Sequence, residues 1–594
     1  MSRKTTFWAL SVLTLLSLVV TACGGPAPTP QVIVQTAPPQ VQTAVVTAPP
    51  AVQTVVVTAA PPAGPKTLRL NMGPGDIPTI DPALSTDTSS VQIVEETTVG
   101  LTRQNEETAS LEPGMAESWE FSPDGKKITF KVRQGVPWVR YNPLTKQVEK
   151  VVDEEGKDRI VTAKDFEYGI LRTLDPKTAS DYAYVLTTII EGAADFNSGT
   201  ITDTTKVGVK ALDDWTLEVT LTDDAAGAAF VPNILGMWVA HAQPRWLIEE
   251  RGDRWTETGF FQGYGPYTLK AWNHDADITL IKNPFWPGIP SVPQAKIEEI
   301  TWTMLDESPA FAAYEAGELD VAGVPLSEID RVKADPTLSK ELKIGPVLCT
   351  YYYGFNVTKP PFDNPKVRLA FSLAVDRRSL IDNVTKGGQE PAQWFSRPGL
   401  TAAPTMQTHP NLGVKYDPEQ AKKLLDEVYP DRSKMPPITL MMNQVEGHIK
   451  IGEAIAKMWE EVLGVKVTIQ TQEWRVYLKT LTDDPPQIWR LGWCQDYPDA
   501  NNFLKEVFRS DSQQNHTRWA NPEFDRLVDE AAKEKDEAKR RELYAQAEDI
   551  LVRQDAAIIP IYWYTRVTVT KPYVQRTFSI LGGLEHIEKW DISK

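Results

Sequence analysis

At 594 residues the chain is too long for one hydrophobic core, so about two to four domains are expected. Hydrophobic residues make up 41% and charged residues 24%, the balance of a soluble globular protein. The net charge of -17 argues against nucleic acid as a partner, because neutralising phosphates needs a basic surface, and it suits a monomer in solution.

Arg3 and Lys4 precede the apolar run Phe7 to Val20, which closes on the small-residue stretch Val20-Thr21-Ala22-Cys23. That order predicts an export signal over residues 1–22, and the run is shorter than the roughly 20 residues a spanning helix needs. Val20-Thr21-Ala22-Cys23 resembles the lipobox of bacterial lipoproteins. The resemblance implies cleavage before Cys23, lipidation of its thiol, and a chain held on the extracytoplasmic face of the bacterial cell membrane by the lipid anchor only. From Gly24 to Pro65, Val-Gln-Thr-Ala and Val-Val-Thr-Ala units alternate with Pro-Pro pairs and carry no charge, so residues 23–65 are expected to be a disordered tether. Two of the three cysteines remain, Cys349 and Cys494. In an exported protein they are expected to pair, closing a loop for which the chain-entropy model gives about 5 kcal/mol.

Order begins with a short strand at Thr67-Leu68-Arg69-Leu70. A hairpin follows, Ser118 to Phe121 and Lys127 to Val132 about the turn Ser122-Pro123-Asp124-Gly125. Thr162 with Asp165 starts a helix in capping-box style, and strand patterns cover Trp215 to Leu221 and Tyr267 to Asn283, the latter bent at Asn273-His274-Asp275. Farther on, Asn364-Pro365 and Asp417-Pro418 each open a helix. Glu446 to Leu463 is a helix stopped by Gly464, followed by a strand at Val465 to Ile469. Pro522 to Gln554 reads as long and helical, and Ala557 to Thr570 as a β run. Strands and helices are mixed throughout, which makes an α/β protein of several lobes.

One stretch carries chemistry at close spacing. Ile488 to Asn501 places Arg490, Gly492, Cys494 and Asp496 at period two, one face of an extended chain, with Trp493 on the other. A cation and an anion along one strand edge suit the two ends of a zwitterionic chain; a purely structural strand with a Gly bulge and an Asp-Tyr-Pro turn is the alternative.

Several stretches, in order, are similar to one family, the large peptide-type solute-binding proteins of bacterial ABC importers. They are Thr79-Ile80-Asp81-Pro82-Ala83, Leu111 to Trp119, Val161 to Phe166, Gly263-Tyr264-Gly265-Pro266-Tyr267, Leu348 to Asn356, Lys359-Pro360-Pro361-Phe362, Asp376-Arg377, Gln472-Glu473-Trp474, Gly492 to Tyr497, and Ile559-Pro560-Ile561-Tyr562. The resemblance implies a two-lobed fold like that of periplasmic binding proteins, of type II and the large peptide-binding class, with an extra inserted domain. Its boundaries would be 66–88, 240–347 and 566–594 for lobe I, 89–239 for the inserted domain and 348–565 for lobe II. It further implies hinge-like closure on a short extended peptide that is then delivered to an ABC permease with its ATPase subunits.

Residue by residue, the resemblance assigns backbone contacts to Asp76-Ile77-Pro78 and Gly492-Trp493-Cys494. Asp496 would hold the peptide ammonium, Arg490 and His448 the carboxylate, and Trp474 would wall a side-chain pocket. The Cys349–Cys494 pair matches a family disulfide. Pro78 lacks an N–H and so offers one donor fewer than its counterpart. Lys386 lies near the place of a carboxylate-binding lysine, and Val139 to Ile160 is longer than the family's turn and is expected to be a surface loop or hairpin.

Neither a cofactor nor a metal is expected. The six histidines stand singly, without metal-ligand spacing. A secreted hydrolase ranks last among the alternatives, since no Gly-x-Ser-x-Gly or His-Glu-x-x-His occurs. The same fold carrying an oligosaccharide or a nickel complex, and a peptide sensor without transport, are the other two.

Overall fold

The computed structural model describes residues 64–593 and, ahead of them, the backbone of two strands, Gln42–Val46 and Gln53–Val57. The export signal at 1–22 and the lipidation site Cys23 lie outside the described residues. Within the stretch expected to be a disordered tether, the two strands pair antiparallel, Gln42 opposite Val57, and correct that expectation locally. Pro49-Pro50 falls between the strands, so the Val-rich segments keep every backbone donor a ladder needs.

Lobe I is built on β1 (Thr67–Asn71), β2 (Tyr267–Asn273), β3 (Asp277–Lys282) and β4 (Glu299–Thr303), in sheet order β2-β3-β4-β1. β1 lies parallel to β4, which brings together segments more than 200 positions apart. Leu68 and Leu70 of β1 point into the core, as the alternation requires. Helix α1 (Thr88–Thr97) starts on Asp87, whose carboxylate accepts from Ser89 N and Ser90 N. Helix α2 (Glu307–Glu315) is tied to this sheet because the Asn71 side chain bonds Leu305 N and Leu305 O, both at 2.9 Å.

The inserted segment carries the expected hairpin, Ala116–Phe121 with Lys127–Val132, in a four-stranded sheet with Thr216–Thr220 and Val209–Asp213. Thr162 and Asp165 form the capping box of Ala163–Leu174. The polar insertion is a hairpin, Val139–Asn142 with Gln147–Lys150. The segment shares its core with lobe I: Trp138 and Phe166 both pack edge-on to Tyr264, at 4.9 and 6.5 Å.

The second large sheet, with its helices, comprises β5 (Val321–Gly323), β6 (Leu342–Phe355), β7 (Ile438–Asn443), helix α3 (Glu446–Leu463), β8 (Val467–Gln472), helix α4 (Trp474–Asp483), β9 (Ile488–Cys494), helix α5 (Ala500–Phe508) and β10 (Ile558–Thr570); β5 joins it from the segment expected in lobe I, and the rest falls mostly in the segment expected as lobe II. The sheet order is β5-β10-β6-β9-β7-β8. The apolar stripe Ile451, Ile455, Trp459 and Leu463 seats α3 on this sheet, and Gly464 ends the helix at φ 69°, where a side chain is disfavoured. The single helix expected over 522–554 is two, Pro522–Lys533 and Glu537–Asp549, because Asp536 caps the second, accepting from Ala538 N at 2.9 Å and Lys539 N at 3.0 Å.

The long strands β6 and β10 pair antiparallel, and their register slips between Pro346 and Thr350. The Arg397 guanidinium fills the slip, donating to Val347 O and, at 2.6 Å, to Tyr564 O. Within the same stretch, Cys349 and Cys494 stand directly opposite on β6 and β9 and are joined by a disulfide across a sequence separation of 145.

Candidate functional site

A cavity of about 670 Å³, ample for a small solute, lies between the lobes. Lobe I and the inserted segment contribute Pro78, Asp87, Val91, Tyr182 and Trp238, and lobe II contributes β9, α4 and Tyr564. Helix α4 presents Trp474, Arg475, Leu478 and Thr482 to the cavity while Tyr477 and Leu481 face the core, the division its amphipathic spacing dictates.

β9 is the floor. Its first edge pairs with β6 along its whole length, but its second edge meets β7 only at Leu440 opposite Ile488 and Met441 opposite Trp489. Beyond that point the edge has no strand partner among the described residues. At Arg490 the Tyr477 hydroxyl substitutes, accepting from Arg490 N at 3.0 Å and donating to Arg490 O at 2.5 Å. From Leu491 to Cys494 the open edge borders the cavity. Gly492 keeps that stretch bare: a Cβ there would stand 2.8 Å from the Tyr564 hydroxyl. Gly582 of the C-terminal segment packs on the disulfide, with room for no side chain, and holds the far end of β9 in place.

Two opposite charges flank this edge without a charged partner among the described residues. The Arg490 guanidinium is 6% exposed and sits 4.5 Å over the Tyr351 ring. It donates to the Tyr564 hydroxyl and, at 3.2 Å, to Asn443 Oδ1, and its Nε has no partner. All its neighbours are neutral, so a buried cation stands uncompensated. Asp496, just past the end of β9, is half-buried, and its Oδ2 accepts from Asn502 Nδ2 at 2.7 Å. Burial pushes its carboxyl up to about 7; the Asn502 bond opposes that rise and the nearby Glu506 adds to it. The other cavity cations differ: Lys479 is paired with Asp483 at 2.6 Å and Arg566 with Glu585 at 2.6 Å, while Arg475 is exposed at the start of α4.

Of the residues expected from sequence, Arg490, Gly492, Trp493, Cys494, Asp496, Trp474 and Pro78 come together around the cavity. Trp493 points away from Gly492 yet still borders the cavity, because the strand ends one residue later. Three expected contacts lie outside the lining. The Asp76 carboxylate is taken up by Trp272 Nε1 at 3.0 Å and His274 Nδ1 at 2.6 Å, and Ile77 is buried in the core at 1% exposure. His448 stands behind Tyr351, 3.5 Å from its hydroxyl, and burial together with the Arg490 charge holds its imidazole well below its ordinary value and hence neutral at pH 7. Lys386 pairs with Asp330 instead of reaching the cleft. Sequence reasoning missed Tyr564, Asn443 and Asn502. Asn502 alone had a signal, since it occupies the third helical position after the cap Asp499, from which a side chain reaches back over the preceding loop.

Comparison with known proteins places this geometry. The family model of bacterial extracellular solute-binding proteins, family 5 middle, matches residues 110–515. The oligopeptide-binding protein OppA of Bacillus subtilis is 34% identical over 525 residues, covering 84% of this chain and 88% of that protein. The crystal structure of Haemophilus influenzae OppA in complex with the peptide RPPGFSPFR superposes with a TM-score of 0.77 at 27% identity, covering 90% of this chain and 100% of that one. The murein tripeptide-binding protein MppA of Escherichia coli gives 0.78 at 27% identity, covering 90% and 99%. Its unliganded open form gives only 0.59 at the same identity, covering 89% and 98%.

Proposed function

The chain belongs to family 5 of the bacterial extracellular solute-binding proteins, and from that premise we propose that it captures short peptides between its lobes and hands them to the permease of an ABC importer. The carrying observation is the open edge of β9 with an uncompensated carboxylate at Asp496 and an uncompensated guanidinium at Arg490. A peptide added as a strand takes the free N–H and C=O groups whatever its side chains, and its two termini neutralise the two charges. Six positions separate Arg490 from Asp496, at most about 20 Å of chain, so the spacing suits a short peptide. A neutral sugar would leave both charges unpaired, which argues against the oligosaccharide alternative. The lipobox-like Val20-Thr21-Ala22-Cys23 supports a lipid anchor on the extracytoplasmic face of the membrane. Mass spectrometry of solutes released on denaturing freshly purified protein is expected to find peptides with free termini; a sugar or heme in their place would overturn the reading.

Closure is supported by contacts that join the lobes. Asp306 Oδ1 of lobe I accepts from Glu446 N of α3 at 3.3 Å, and Glu307 Oε2 accepts from Gly447 N at 2.9 Å. These are the orphan donors at the start of a helix whose own cap residue, Val445, has no side chain able to serve. Glu307→Ala is expected to raise the peptide dissociation rate roughly fivefold, as for the loss of a cap worth about 1 kcal/mol. Stopped-flow tryptophan fluorescence reads that rate, and an unchanged rate removes the lobe-joining role.

A further inference from the structure

We infer that Asn502 is a positioning residue for ligand binding: its carboxamide sets the orientation of Asp496 and Trp493 together and gives the Asp496 carboxylate its side-chain hydrogen bond. The inference rests on Asp496 as the amine anchor. Asn502 is fully buried at 0% exposure, on the first turn of α5. Its Oδ1 accepts from Trp493 Nε1 at 3.1 Å and from Asp496 N at 3.0 Å, and its Nδ2 donates to Asp496 Oδ2 at 2.7 Å. The reverse placement of the amide would set its NH2 against two N–H donors and its oxygen against a carboxylate, so the orientation is chemically determined. With Oδ2 held, Asp496 Oδ1 is left for a ligand ammonium, and the indole that borders the same cavity is locked to the same amide.

The amide is itself held in place. Asp499 caps α5, accepting from Asn501 N at 2.9 Å, and is gripped by Arg540 through two bonds of 3.0 and 2.7 Å. The neighbouring Asn501 turns the other way, to Tyr497, Glu506 and Tyr544. The titratable groups that face Asp496 are Glu506 of α5 and Tyr182 and Tyr184 of the inserted segment. None is a cation, so the Nδ2–H bond is the chief local support for the ionised carboxyl.

The test is the titration of the Asp496 carboxyl in ligand-free protein, followed by 13C NMR on aspartate-labelled samples, with the Asp496→Asn difference spectrum for assignment. In Asn502→Leu its midpoint is expected to rise by about one pH unit, and affinity for trialanine at pH 7 to fall by roughly tenfold to fiftyfold. A purely structural role lowers affinity equally at every pH and leaves the midpoint in place. The near-isosteric Asn502→Asp keeps the inference testable if the leucine variant does not fold; there two coupled steps are expected, the upper one above the native midpoint. A native midpoint in either folded variant overturns the inference. Failure of trialanine to bind the native protein instead removes the amine-anchor reading, and the NMR midpoint still decides what Asn502 does to the carboxyl.

Discussion

Asp496→Asn is expected to weaken binding of a free-amine peptide by about 2–4 kcal/mol, roughly 30- to 1,000-fold, in titration calorimetry at pH 7.5. The asparagine keeps the shape and one carbonyl acceptor but cannot neutralise an ammonium in a desolvated cleft, where a charge-assisted bond is about twice as strong as a neutral one. An N-acetylated peptide, which has no ammonium, is expected to bind the variant at least as well as the native protein, because the native carboxylate would be left unpaired. The pH dependence has a definite sign. Burial holds the ligand-free carboxyl up at about 7, and the ammonium takes the ionised form. Affinity therefore rises with pH by up to about tenfold per unit below 7 and levels off above it, and the asparagine variant lacks that slope. For the fold the sign is opposite: a folded-state value raised above the ordinary 3.8 means that ionisation costs stability, a cost that begins above the ordinary value and is complete above about 7. The variant is accordingly expected to be no less stable than the native protein at pH 8. Unchanged affinity would falsify the anchor.

Arg490→Met is expected to cost a peptide with a free carboxylate about 2–3 kcal/mol, roughly 30- to 150-fold, while leaving a C-terminally amidated peptide nearly unaffected. The reason is the isolation of the guanidinium, buried at 6% exposure among Tyr351, Tyr564 and Asn443 with no carboxylate in reach among the described residues. Without ligand this charge is a burden on the fold, so the methionine variant is expected to melt at or above the native temperature, read by calorimetry. The combination of weaker binding with undiminished stability marks a residue kept for its ligand. Equal losses for free and amidated peptides would show that Arg490 does not read the carboxylate.

Much of this molecule was legible locally. Cap-and-proline starts at Asn364-Pro365 and Asp417-Pro418, the Gly464 stop, and the Ser122–Gly125 turn all appear where the sequence places them, because each depends on a few adjacent residues. The broken helix at 534–536 shows the limit of that reading. Its periodicity ran on through Glu534-Lys535-Asp536, and only the side-chain cap of Asp536 on the next helix decided the break.

The candidate site divides along the same line. The sequence by itself determined the alternation that puts Arg490, Gly492 and Cys494 on one face of β9, and the pairing of the only two cysteines in the described residues, since both follow from a period of two and from elimination. Only the tertiary structure decided which of these groups are free to act. His448, whose imidazole was expected to meet the peptide carboxylate, is held neutral behind Tyr351. Arg490 and Asp496, by contrast, come to rest where no partner of opposite charge arrives among the described residues. Whether a buried charge is compensated depends on every segment that folds against it, and that sum over distant neighbours is not written at any one place in the chain.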